Sequence, residues 1–164
     1  MKKSSTIFLR IVVFLIGILV LGICIFALPV IARVMSEIAA ELHPAWAHIR
    51  YPLLIGLYGS AAAFFYALYQ TLKLLGYIDK NMAFSNLSVK ALKHIKYSAL
   101  TYSGLFVLMS PLFLVAAEAD DAPGFLAIVL ILSFASFVIA VFAAVLEKVL
   151  QDAVRIKSEN DLTV

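Results

Sequence analysis

Four stretches of this chain run for about 20 residues or more without an Asp, Glu, Lys or Arg, the length a helix needs to cross a roughly 30 Å hydrocarbon layer. They occupy residues 11–32, 51–72, 97–117 and 122–146. Lipid offers no partners to backbone amides and carbonyls, so a spanning segment is either a helix or part of a closed barrel. Runs such as Ile11-Val12-Val13-Phe14-Leu15-Ile16 and Ala127-Ile128-Val129-Leu130-Ile131-Leu132 lack the alternation of barrel strands. The expected fold is therefore all-α: a polytopic membrane protein with four transmembrane helices, forming a single membrane domain over residues 1–164.

Composition agrees. Of the 164 residues, 64% are hydrophobic and 14% charged, whereas soluble domains are about half apolar and a quarter charged. A chain this short cannot bury that much apolar surface in a water-soluble core. A soluble enzyme, a disulfide scaffold and a disordered tail are excluded, and the single Cys24 allows neither an intrachain disulfide nor a cysteine-based zinc site.

Charge placement orients the helices. Of 13 basic residues, 11 fall on one side: Lys2, Lys3, Arg10, Lys73, Lys80, Lys90, Lys93, Lys96, Lys148, Arg155 and Lys157. The other side receives Arg33 and Arg50 together with Glu37, Glu41, Glu118, Asp120 and Asp121. The positive-inside bias then places both termini, the 73–96 loop and the 147–164 tail in the cytoplasm, in the cell (inner) membrane. The net charge of +3 is explained by this bias, and no direct nucleic-acid binding is expected. The first stretch is longer than a signal-peptide core, and Leu28-Pro29-Val30 makes a poor cleavage site, so it reads as a retained anchor.

Beyond the first span, Ile31, Val34, Ile38 and Leu42 recur at helical spacing, with His43-Pro44 ending the pattern. This predicts a short helical projection on or near the membrane, with Trp46 and Tyr51 at headgroup level. On the basic side, Gly76 is placed to end the second span, Asp79-Lys80-Asn81 is turn chemistry, and Ser85 is a good N-cap for the helix that follows. Ser110-Pro111 is a candidate kink. After residue 146 a polar helix is expected to continue for a while, giving way to a mobile, mixed-charge end over residues 157–164.

The candidate sites are few. Gly59, Ala63 and Ala67 in the second span, and Ser136, Ala140 and Ala144 in the fourth, repeat small residues every four positions, as close helix packing in lipid requires. Packing of the two helices on each other inside the molecule is the favoured reading, and a homo-oligomer seam the other. His43 and His48, near Glu37 and Glu41, are weak metal candidates whose spacing matches no metalloprotease signature such as His-Glu-x-x-His, so a solvated loop is favoured and no metal or cofactor is expected. Lys90, Lys93 and Lys96 step along the third helix as a basic stripe, facing either anionic lipid or a partner. The spans themselves hold no charge, and no nucleophile elbow or phosphate loop is present, so no enzyme is expected.

The run Ala83-Phe84-Ser85-Asn86-Leu87-Ser88-Val89-Lys90-Ala91-Leu92-Lys93-His94-Ile95-Lys96 resembles the segment that opens the third helix in a bacterial four-helix membrane family, domain-of-unknown-function 2975. The ending Glu159-Asn160-Asp161-Leu162-Thr163-Val164 is similar to that family's as well. The resemblance implies a small inner-membrane protein, often encoded beside a small helix-turn-helix regulator, with no established catalytic residues. Both motifs fall on the expected cytoplasmic side. The expectation is thus a non-enzymatic tether or sensor that binds a cytoplasmic partner such as that regulator, with Glu159, Asn160 and Asp161 as part of the contact surface. The alternative is a small transporter, immunity or permease-accessory protein.

Overall fold

The structure, a computed structural model, describes residues 3–163. Lys2, in the expected basic start, and Val164, at the end of the tail motif, lie outside the described residues. The helices are α1 (Lys3–Gly22), α2 (Leu28–Leu42), α3 (Arg50–Asp79), α4 (Asn86–Ala119) and α5 (Pro123–Leu162). A π-helical turn, Ile23–Ala27, makes α1 and α2 one continuous rod. Four segments, Lys3–Leu42, Pro44–Asp79, Asn86–Ala119 and Pro123–Leu162, are long and apolar enough to cross a membrane.

The π turn has a local cause. Pro29 has no N–H, and the Leu28 amide reaches back five residues to the Ile23 carbonyl. In that register the Cys24 carbonyl would take its bond from residue 29. It accepts the Tyr58 hydroxyl of α3 instead, at 3.1 Å. A second proline is handled similarly. Pro111 cannot serve the Val107 carbonyl, and the Ser110 hydroxyl donates to it at 2.7 Å, so α4 remains a single helix.

The sequence-based reading of residues 31–42 needs correcting. The helix ends at Leu42 as expected, but Ile31, Val34 and Leu42 point outward, and the buried face is Ala32, Met35, Ser36 and Ala39. In lipid the large aliphatics gain nothing by turning inward, while small residues let backbones approach. α2 is therefore no peripheral projection. Ala32, Met35 and Ala39 join Leu53, Phe106 and Phe113 in the main apolar core, which sits at the acidic end of the molecule.

Gly76 does not end α3 either. The helix runs on to Asp79, and the left-handed residue that closes it is Asn81, with φ 57°. The Met82 amide then reaches the Tyr77 carbonyl at 2.8 Å, a Schellman closure that satisfies the last turn. Asp121, with φ 47°, does the same for α4, the Ala122 amide donating to the Ala117 carbonyl at 2.9 Å. Asn and Asp are the non-glycine residues that best tolerate this region. Ser85 does cap α4, accepting the Ser88 amide at 3.4 Å. At the far end α5 stays helical to Leu162, beyond the point where a mobile end was expected. Arg155, spaced three and four residues from Asp152 and Glu159, supports those last turns.

The long helices pack as a row: α1 against α3, α3 against α4 and α4 against α5, with α2 folded over α3 and α4 at the acidic end. α4 and α5 are tied by hydroxyls. Ser103 and Ser133 each donate to the other's carbonyl, at 3.1 and 3.2 Å, and Ser136 donates to the Ala99 carbonyl at 3.0 Å. The start of α1, the end of α5 and the α3–α4 turn lie at one end, which also carries most of the basic residues.

Candidate functional site

The basic end is held by two ion pairs. Arg10 of α1 meets Asp79 at 2.7 Å, passing close to Gly76, where a Cβ would sit 3.5 Å from the guanidinium. Gly76 thus lies inside α3 beside Arg10, with ordinary van der Waals room for a Cβ, and does not end the helix. Lys96 of α4 meets Glu147 of α5 at 2.5 Å, with Glu147 only 7% exposed. Helical side chains lean toward their own N-terminus, so in this antiparallel pair the lysine leans outward from the membrane and the glutamate leans into it, and they meet.

Lys96 is therefore turned to α5, away from the stripe in which the sequence placed it. Lys90 and Lys93 are exposed and make no ion pair among the described residues. Glu159, Asn160 and Asp161 form the exposed last turn of α5, with Glu159 3.9 Å from Arg155 and the Asn160 carbonyl accepting the Thr163 hydroxyl.

The small-residue stripes separate. Ser136 and Ala140 are buried, Ala144 is half-buried, and they lie along the side of α5 that meets α4. Gly59, Ala63 and Ala67 are half-buried on α3. Ala63 and Ala67 line an apolar groove of about 350 Å³ that α3, α4 and α5 enclose from three sides, with Ser136 on its opposite wall. The serine and threonine hydroxyls at this groove are occupied: Thr71 bonds the Ala67 carbonyl, Ser98 the His94 carbonyl and Ser136 the Ala99 carbonyl. No charged side chain lines it among the described residues. The groove has the chemistry of an apolar contact surface and lacks the polar lining of an ion path.

At the acidic end, the His43 Nδ1 accepts the Ala45 amide at 3.1 Å and caps the short 3-10 helix Pro44–Ile49, in which His48 sits exposed. Among the described residues no three His, Cys, Asp or Glu side chains converge as metal ligands would.

Three features escaped the sequence. Glu147 lies one residue beyond an uncharged span and nothing marks it as buried. Gly56, and not Gly59, is where a side chain of α4 packs onto the α3 backbone, because a Cβ there would fall on the Met109 side chain. Tyr66 and His94 come together across α3 and α4, the Tyr66 oxygen 3.3 Å from His94 Nδ1. Only contact in space reveals such pairs.

Fold and site together define a small α-helical membrane protein with four candidate spans and a charged end built from all four. The chain belongs to the family described as protein of unknown function, DUF2975, whose model matches residues 34–164. It is similar to the uncharacterized membrane protein YoaS of Bacillus subtilis (strain 168), at 56% identity over 164 residues, the whole of both chains. No solved structure matches it.

Proposed function

We propose that this protein is a non-enzymatic tether or sensor that presents a cytoplasmic docking arm, with a small helix-turn-helix regulator as its fitting partner. The supporting observation is α5, which continues about four turns past residue 146, or about 24 Å, with its last eight residues exposed. An isolated helix this short is marginal in water, but here it grows from an anchored span and starts already nucleated. Its last turn carries Glu159 and Asp161, which an anionic leaflet repels, so a protein surface suits it better than lipid does.

The test is deletion of residues 159–164 in the native host, followed by crosslinking. Membrane insertion and helix content stay unchanged, and crosslinks from the arm to a cytoplasmic protein disappear. Crosslinking that survives the deletion removes the arm as the docking element. A permease-accessory role is the second reading, and it draws on the apolar groove between α3 and α5, which would take a helix of another membrane protein.

A further inference from the structure

We propose that the outer side of the α3–α4 seam is a binding site for one anionic phospholipid of the leaflet at the basic end. This goes beyond the docking arm and does not depend on it.

Two helix faces carry the argument. On α3, Tyr66 and Lys73 lie two turns apart on one exposed strip. On α4, Lys90, His94 and Thr101 lie on another. Contact between Tyr66 and His94, whose ring centres are 5.9 Å apart, brings the strips side by side. The two helices run in opposite directions, so Lys73 and Lys90 both fall on the outer, headgroup side of that aromatic pair. Lys90 lies about 6 Å and Lys73 about 10 Å along the helix axes from it. Both lysines are exposed, and neither has an acidic partner among the described residues. No Asp or Glu occurs in 51–78 or 86–117, and nearby Asp79 is held by Arg10. Among the described residues no anion answers the positive charge here, although the Lys73 ammonium rests 4.7 Å above the Tyr69 ring, a contact that leaves its charge uncompensated.

Toward the middle of the membrane the same seam opens into a groove of about 350 Å³, with Gly59 and Ala63 in its wall and Thr101 beside it. Its serine and threonine hydroxyls are spent within α4: Ser98 donates to the His94 carbonyl and Thr101 to the Tyr97 carbonyl, both at 2.8 Å. The wall at Gly59, Ala63, Ser98 and Thr101 therefore suits an acyl chain. The Tyr66–His94 pair sits at the depth of ester and glycerol oxygens and supplies hydrogen bonds there. Lys73 and Lys90 sit where the phosphate would be. A zwitterionic headgroup brings its own cation against two lysines that have no acidic partner among the described residues, so the site selects an anionic one.

Native mass spectrometry of the full chain in mild detergent tests this, using phosphatidylglycerol and phosphatidylcholine with the same acyl chains. One phosphatidylglycerol is retained in marked excess over phosphatidylcholine. The double substitution Lys73→Gln with Lys90→Gln lowers that retention by about tenfold. Lys148→Gln with Lys157→Gln removes the same charge from α5 and leaves retention within about twofold, since general attraction to a basic end is weak once screened. Thr101→Trp, at an exposed position, fills the groove and lowers retention with no change of charge. Millimolar glycerol phosphate leaves the lipid in place, because the acyl chain anchors it. Equal retention of the two lipids, an equal loss from the α5 pair, or displacement by glycerol phosphate would each overturn the proposal. All four lysines are exposed, so both double variants fold, and circular dichroism verifies it.

Discussion

A methyl group on Gly56 would fall on the side chain of Met109, itself only 5% exposed. Thioethers are adaptable, so Gly56→Ala is expected to cost about 1–3 kcal/mol, the range for overpacking, and Met109→Ala in the same chain should recover part of it. Gly104→Ala, with nothing within 4 Å of its Cβ, should be silent. Unfolding in detergent, followed by circular dichroism, measures all three. The Lys96–Glu147 pair calls for a different comparison. A buried ion pair adds little net stability, yet removing one member leaves an uncompensated charge. Lys96→Met alone should therefore destabilise by about 3 kcal/mol, whereas Lys96→Met with Glu147→Leu should lie close to wild type. If the single and double variants unfold alike, the pair does not form.

At the scale of elements, the small-residue stripes are no longer equivalent. Ala140 is 2% exposed on the α5 side that faces α4, so Ala140→Leu should wedge the hydroxyl-tied seam apart and reduce thermal stability clearly. Ala63 borders a groove with room for a larger side chain, so Ala63→Leu should be milder. Ile128→Leu, at a 58% exposed position, is the control. Equal melting temperatures for all three would mean that neither stripe is an interface. The contrast shows where sequence reading stops. Absence of charge located the four spans, and a serine followed by a helical pattern located the cap at Ser85, because both are properties of the chain itself. The stripe at Ile31, Val34, Ile38 and Leu42 misled because in lipid large apolar residues point outward and small ones inward, reversing the soluble rule. Gly76 misled because the left-handed residue that closes α3 is Asn81, five positions further on, and the glycine stays helical. The Tyr66–His94 pair and the burial of Glu147 depend wholly on which helices become neighbours, and periodicity within one helix carries no record of that.

For the whole molecule, the even number of spans places both chain ends and the α3–α4 turn on one side, and the charge count says which compartment that side faces. The 11-to-2 division of basic residues predicts the cytoplasm. Two of the eleven, Arg10 and Lys96, are paired with Asp79 and Glu147 in the structure, but the bias is a count of Lys and Arg and not of net charge, so both still belong to it. Lys73, Lys80, Lys90 and Lys93, grouped around the α3–α4 turn between two spans, are the largest cluster among the other nine. Single-cysteine labelling tests it. Asn86 and Asp120 are both exposed and close opposite ends of α4, whereas Ser85 is committed to the cap and unsuitable for replacement. With Cys24→Ala removing the native thiol, a cysteine at 120 should react with an impermeant reagent on intact cells. A cysteine at 86 should react only after the membrane is opened. Substituting Lys73, Lys80, Lys90 and Lys93 together by Gln should blur that division and give partial labelling at 86 from outside, because the orienting charge has been withdrawn. Full labelling at 86 in the otherwise native chain would invert the topology and place the α5 arm outside the cell, out of reach of any cytoplasmic regulator.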